Sequence, residues 1–295
     1  VRRVLIIVNP AAGRVRSHRR HLDRVVAELR ARGCSVAIRD AGAQPGGAEH
    51  LARTAEPEFD VIVAAGGDGT AAAVVNGMGG SPRPLALLPL GTANVLATEI
   101  GLPRRAADCA ELIASAPSAL VWPGRIGGRL FLTSASAGFD ADVVAAVDDR
   151  FKRRAGRLAF LWAVAACLRR YRERRLVVRA DGIEYAAGGA IATTGPLYAG
   201  RFVIAPEARL ADPLLHLVLL RGGGRRAVLR YGTALLLGRL PGMPGVSILT
   251  ARTATISGTD GTPAQADGDV VARLPVTVAI ADRPIALIRP TRRRF

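Results

Sequence analysis

The chain has 295 residues, 49% apolar and 22% charged, and its 41 Lys and Arg against 24 Asp and Glu leave a formal net charge of +17. That composition excludes an intrinsically disordered chain, and the length favours two domains over one at ~100 to 200 residues each. Three scattered cysteines, Cys34, Cys109 and Cys167, form no Cys-x-x-Cys pair; they exclude a disulfide framework and a zinc knuckle and fit a reducing cytoplasm.

Residues 4–8 read as a buried strand, entered with no charged, apolar and small-residue signal pattern before it. After a loop at Asn9-Pro10-Ala11-Ala12-Gly13, Ser17 can cap a helix whose Leu22, Val25, Val26 and Leu29 share one face and which ends at Gly33. A strand at 35–39, a helix at 47–54, a strand at 59–65, a helix at 71–78 and a strand at 85–88 follow. A further helix starts at Thr92, read as its N-cap, and is closed by Gly101 and Pro103. Strand and helix alternating at this spacing predict a parallel sheet with helices on both faces. Past Pro117 the pattern changes to a hairpin at 125–130 and short β-rich runs at 176–179, 190–193, 215–220, 253–257 and 276–280. One long helix, over 156–173, interrupts this mainly antiparallel half. Its longest apolar stretch, 158–168, is about half of the ~20 residues a spanning helix needs, so no bilayer crossing is expected.

Lys152 is the only lysine, so the G-x-x-x-x-G-K-[ST] phosphate loop is excluded, as is hydrolase chemistry by the lack of a G-x-S-x-G elbow. The arginine surplus suits an anionic partner, whether nucleotide, acidic membrane or nucleic acid, and equally a GC-rich genome. The stretch 150–175 sets Trp162 and an apolar middle between basic ends. It suits a helix lying on anionic lipid, or a core helix with solvated ends. His18 and His21 share a helix face, with no Glu to complete a metal constellation.

The most informative stretch is the strand 59–65 running into Gly66-Gly67-Asp68-Gly69-Thr70 and a helix. Backbone N–H groups and the positive helix end converge there, where a phosphate could sit, although a tight strand-to-helix turn needs the same glycines. Gly67-x-Gly69-x-x-Ala72 matches the dinucleotide fingerprint in form, but no acidic residue ends the next strand to hold a ribose. Asp68 argues further against it, because a carboxylate among phosphates needs a cation between them or a part in proton transfer. Pro89-Leu90-Gly91-Thr92 and Asn9 to Gly13 leave two other strands. Parallel strands put all three loops on one sheet edge, so the three could enclose one nucleotide.

Asn-Pro-x-x-Gly at residue 9, Gly-Gly-Asp-Gly-Thr at 66 and Pro-Leu-Gly-Thr-Ala-Asn at 89 together resemble the catalytic domain shared by diacylglycerol kinases, sphingosine kinases and bacterial lipid kinases. The resemblance continues through Gly138-Phe139-Asp140, Ala205-Pro206-Glu207-Ala208 with Asp212, and Asp267-Gly268-Asp269. It implies an α/β nucleotide-binding domain over 1–122 and a β-sandwich domain over 123–295, whose last strand is free to return to the first domain. It implies ATP contacts at Asn9, Gly66, Gly67, Asp68, Gly69, Thr70, Gly91 and Thr92, with Asp68 also a candidate for catalysis. A Mg²⁺ site is implied at Asp212 with the carbonyls of Arg209 and Leu214, and a general base at Asp269. The expected reaction is γ-phosphate transfer from ATP to a lipid alcohol by a cytoplasmic protein at an anionic membrane surface. Nucleic acid is not an expected partner, and a homo-oligomer stays open.

Departures accompany the resemblance. Ala72 and Ala73 stand where relatives have Asn and Glu, Val95 where they have Asp, Pro213 where they have Gly, and Asp269 where they have Glu. Asp40 stands roughly where the family has a nucleotide-contacting Thr. Taken alone, Asp267-Gly268, like Asp181-Gly182 and Asp260-Gly261, reads as a hairpin turn. Two rivals follow: a soluble-substrate kinase resembling NAD kinase, and a nucleotide- or lipid-binding relative without activity.

Overall fold

The computed structural model describes residues 2–10, 16–42, 47–146, 157–171, 173–259 and 261–291, the side chains of residues 16 and 157–161 excepted. Ala11 to Gly13 of the first loop, residues 150–156 of the basic segment, the Asp260 turn position and the arginine tail at 292–294 lie outside the described residues.

The chain divides into two compact units, residues 1–121 with 283–295, and residues 122–282. In the first, β1 (Arg3–Val8), α1 (Arg16–Ala31), β2 (Ser35–Asp40), α2 (Gly47–Arg53), β3 (Val61–Gly66), α3 (Asp68–Met78), β4 (Leu85–Pro89), α4 (Val95–Glu99), α5 (Ala106–Ser115) and β5 (Ser118–Val121) follow one another. The second holds β6 (Gly124–Ile126), β7 (Arg129–Phe131), β8 (Ser134–Ala137), α6 (Phe139–Ala146), α7 (Arg157–Arg170), β9 (Leu176–Ala180), β10 (Ile183–Ala187) and β11 (Gly189–Thr193). It continues through β12 (Leu197–Tyr198), β13 (Phe202–Val203), β14 (Leu215–Leu220), α8 (Arg225–Leu236), β15 (Val246–Ala251), β16 (Thr253–Ser257), β17 (Pro263–Ala266), β18 (Asp269–Arg273) and β19 (Val276–Ile280). The last strand, β20 (Ile285–Ile288), belongs to the first unit.

The first unit is a six-stranded sheet in the order β2-β1-β3-β4-β20-β5, parallel except for the β20–β5 pair at one edge. The central strands β1, β3 and β4 are apolar and buried along nearly their whole length because both faces are covered, whereas the edge strands β2 and β5 carry polar, exposed residues. Val4, Ile6, Val61, Val63, Ala86 and Leu88 pack with the Leu22, Val25, Val26 and Leu29 stripe of α1 and with Cys109, Ala110 and Ile113 of α5. Strand alternation then turns Leu5, Ile7, Ile62 and Ala64 to the opposite face. There α2 and α3 pack so closely that a Cβ on Gly77 would stand 2.1 Å from the Glu49 carbonyl oxygen.

The second unit is a β-sandwich. One sheet runs β10-β9-β16-β19-β6-β7 and the other β15-β14-β11-β8-β17-β18, every neighbouring pair antiparallel. Phe131, Leu176, Val178, Ile256 and Val278 of the first meet Leu215, Leu217, Leu219 and Ala264 of the second in one core. Two helices beyond the expected one, α6 and α8, interrupt this half. No helix among the described residues is long and apolar enough to cross a membrane.

Candidate active site

In the first unit, the carboxyl ends of β1, β3 and β4 deliver three loops to one edge of the sheet. Side chains and backbone then bind the loops to one another. Asn9 donates from Nδ2 to Thr70 Oγ1 at 3.1 Å, and its own N–H reaches the Ala65 carbonyl at 3.0 Å. The Leu90 N–H donates to the Gly66 carbonyl at 2.9 Å. Glycine is required at the crossing. A Cβ on Gly66 would lie 2.3 Å from Thr70 Oγ1, and one on Gly91 would lie 2.5 Å from the Gly67 Cα. Asn94, in the left-handed region at φ 48°, closes its own loop by accepting the Gly91 N–H at 3.0 Å and donating to the Gly91 carbonyl at 2.8 Å.

Asp68 completes the lattice. Its carboxylate accepts the Val95 N–H at 2.9 Å and the Leu96 N–H at 3.1 Å, capping α4 from another loop. The helix therefore begins at Val95 with Asn94 in the cap position, not at Thr92, which stands exposed in the loop before it. These contacts give a carboxylate at this position a reason besides the cation or proton transfer that charge alone suggests. Burial nonetheless holds the Asp68 carboxyl above the ordinary carboxylate pKa, against the pull of the amides of Val95, Leu96, Asp68 itself and Asn94.

Between the loops, Ala64, Gly67, Asp68, Leu87 and Asn94 leave a space of about 10 Å³, room for a water at most. That space is too small for a nucleotide, so one bound at these loops would lie across their outer surface. There α3 starts on Gly67, whose carbonyl accepts the Thr70 and Ala71 N–H groups at 3.0 and 3.1 Å, and the positive end of the helix dipole stands at the loop cluster. Asn9, Gly66, Gly67, Asp68, Gly69, Thr70, Gly91 and Thr92 thus all belong to one tied cluster of loops. Asp40 ends β2, and its Oδ1 accepts the Gly42 N–H at 2.7 Å.

In the second unit, Asp267 and Gly268 form the two-residue turn between β17 and β18, with φ 49° and 88° as a type I′ turn demands. The Asp267 carboxylate is engaged by the N–H groups of Leu132 at 2.7 Å and Thr133 at 2.9 Å and by Thr133 Oγ1 at 2.5 Å. Asp269 opens β18 and is exposed. A buried chain of hydrogen bonds that sequence reading missed holds the turn from below. Gln265 accepts the Gly268 N–H at 3.0 Å and donates to Ser136 Oγ at 2.7 Å; Ser136 donates to Asp140, which also accepts the Tyr198 hydroxyl at 2.8 Å. Only Asp140 had a signal in the sequence, through its Gly-Phe-Asp block. Gln265 reads as one more polar residue in a short strand.

Nearby, Arg174 donates from Nη2 to Asp142 at 2.9 Å and from Nη1 to Thr262 Oγ1 at 3.2 Å. Burial holds the Asp142 carboxyl above its ordinary value despite that guanidinium. Burial, with the Asp142 charge second, pushes the Tyr171 hydroxyl up to about 12.

Asp212 stands half-buried in a turn closed by its own N–H on the Arg209 carbonyl at 3.0 Å, and Leu214 follows just before β14. The sequence-implied donors are one carboxylate and two carbonyls, an all-oxygen set that suits Mg²⁺. The Arg209 carbonyl keeps a second lone pair beside the turn bond. Among the described residues no group of three His, Cys, Asp or Glu could hold a metal ion.

Glycine loops tied at the carboxyl edge of an α/β sheet suit the binding of phosphate groups, and an antiparallel sandwich forms the second unit. The chain belongs to the diacylglycerol kinase catalytic-domain family: residues 3–121 match the diacylglycerol kinase catalytic domain, and residues 133–289 match the YegS C-terminal NAD kinase beta sandwich-like domain. It is a kinase of the lipid-kinase group, a phosphotransferase acting on an alcohol. It is 29% identical over 244 residues to a diacylglycerol kinase of Bacillus subtilis, covering 81% of this chain and 80% of that one. It is 28% identical over 278 residues to a diacylglycerol kinase of Mycobacterium tuberculosis, covering 90% and 88%. A crystal structure of a diacylglycerol kinase from Bacillus anthracis superposes with a TM-score of 0.77 at 23% identity, over 98% of this chain and 97% of that one, and shares the fold.

Proposed function

We propose that the protein transfers the γ-phosphoryl group of ATP to the hydroxyl of diacylglycerol or a related lipid alcohol at an anionic membrane surface. The tied cluster of loops in the first unit carries this reading. Helix-end amides are fixed there before phosphate arrives, so the site needs little reorganisation to stabilise charge on a transferring phosphoryl group. Thr70 and Asn9 hold the first loop to the second, and Asp68 holds the second to the third. Asp269 is the proposed general base, and the Gln265–Ser136–Asp140 chain positions the turn that presents it. Asp212 and the carbonyls of Arg209 and Leu214 would hold a Mg²⁺ ion, which would supply charge to brace their own turn when bound.

The test is phosphoryl transfer from labelled ATP to a panel of lipid alcohols in mixed micelles, with NAD as a soluble rival acceptor. Label should appear in the lipid, and Asp269→Asn should lower kcat by ~100-fold or more with the ATP KM little changed, because a general base acts in the transition state. Label in NAD, or no transfer to any acceptor, would overturn the reading. Full turnover by Asp269→Asn would reduce the segment to a turn.

A further inference from the structure

Helix α8 is anchored on one face only. Tyr231 and Ala234 are buried against Ile204, Val218 and Leu240, and the Tyr231 hydroxyl lies 2.6 Å from the Arg221 carbonyl oxygen. On the other face Arg226, Leu229, Thr233, Leu236 and Leu237 recur at helical spacing and are exposed, the leucines by 55%, 70% and 64%, while the exposed Arg230 turns its guanidinium over the Tyr231 ring and donates to the Tyr231 hydroxyl at 2.8 Å. An outward face of a soluble helix ordinarily carries polar residues, and single exposed leucines mean little; three on one helix face form a patch.

Charge identifies what covers it. Between Asp212 and Asp260 the sequence holds no Asp or Glu, and it holds six arginines, at 221, 225, 226, 230, 239 and 252. Arg225 and Arg226 stand in the first turn of α8, where the helix dipole disfavours cations and no side chain caps the end, so helix stability does not account for them. A second copy of the chain would bring the same positive face against itself, a like-charge contact. Leucines flanked by arginines, in a segment of 47 residues (213–259) without Asp or Glu, match a bilayer of anionic lipid: apolar side chains enter the acyl boundary and guanidinium groups reach phosphates.

We propose that the outer face of α8 is the surface by which this protein docks on an anionic membrane. The inference rests on the lipid-kinase reading and names the contact that reading lacks. Arg221, whose carbonyl receives Tyr231, also lines a cavity of about 390 Å³ with Tyr185, Leu219, Ser247 and Glu184, whose carboxylate is paired with Arg179, at the edge where β10 faces β14 and β15. Docking through α8 would bring the rim of that cavity to the bilayer.

Flotation of the full chain with vesicles of phosphatidylcholine containing about one third phosphatidylglycerol tests the proposal. Arg225→Glu with Arg226→Glu, and separately Leu236→Ser with Leu237→Ser, should each weaken binding ~10-fold or more, with the arginine variant melting no lower than the wild type. Turnover of a short-chain diacylglycerol dissolved as monomers should stay at the wild-type rate. Unchanged vesicle binding in both double variants overturns the proposal, as does sedimentation showing a dimer that Leu236→Ser with Leu237→Ser dissolves. If the wild type fails on the monomeric substrate, the kinase reading falls, while the vesicle comparison still decides the role of α8.

Discussion

Asp68 carries a negative charge into the loop where phosphate oxygens would lie, and its surroundings favour that charge less than burial opposes it. With the folded pKa raised above the unfolded value of ~3.9, the sign of the linkage is fixed. The contribution to stability is fully present below the unfolded pKa and is lost as pH rises through the folded one. Asparagine resembles the protonated acid, so Asp68→Asn should melt at or above the wild-type temperature at pH 7 and close to it at pH 3. Its turnover should nevertheless collapse if the charge serves the reaction. Asp68→Ala, which removes both acceptors for the Val95 and Leu96 amides, should cost about 1 to 2 kcal/mol at either pH. Thermal unfolding of both variants across that pH range checks the sign. An Asn variant that melts well below wild type only at pH 7 would show that the charge itself stabilises the fold.

The crossing of the first unit's loops depends on glycines whose missing Cβ atoms are the space the loops occupy. Gly91→Ala would place a methyl 2.5 Å from the Gly67 Cα and 2.8 Å from Asn94 Oδ1, contacts that only backbone movement can relieve. It should destabilise by about 1 to 3 kcal/mol and weaken binding of a non-hydrolysable ATP analogue. Gly232→Ala meets nothing within 4 Å inside α8 and should stabilise instead, by ~0.5 to 1 kcal/mol. Urea unfolding and calorimetric titration separate the two effects, and unchanged nucleotide affinity in Gly91→Ala would remove the loop crossing from the nucleotide site. The elements that the sequence reveals are those with one dominant cause. β1, β3 and β4 are short runs apolar on both faces, and α1 has a single apolar stripe. Helix α8 was hidden because its exposed leucines blur the polar face, Gly232 interrupts its middle and Gly224 offers no capping side chain. Thr92 was misread as a cap because the cap comes from Asp68, 27 residues away in sequence, a contact that no local pattern can show. The same holds for Gln265, whose partners Ser136 and Gly268 are set by strand register.

For the whole molecule, the net charge of +17 and the exposed leucines of α8 act over different distances. The charge attracts an anionic surface from about a Debye length away, ~10 Å at 0.1 M salt and ~3 Å at 1 M. The leucines act only on contact, and salt does not screen them. Vesicle affinity measured against salt concentration should therefore resolve the two. Wild-type affinity should fall as salt rises and level off at a residual value that the leucines supply. Leu236→Ser with Leu237→Ser should leave the steepness at low salt unchanged and remove the residual. Arg225→Glu with Arg226→Glu should flatten the low-salt dependence and leave the residual in place. If the two double variants change slope and residual together, attraction and insertion are not separable on this surface. If both variants keep the full wild-type salt dependence and residual, the charge that draws the protein to lipid lies elsewhere among its 41 basic residues, and α8 is no part of the docking surface.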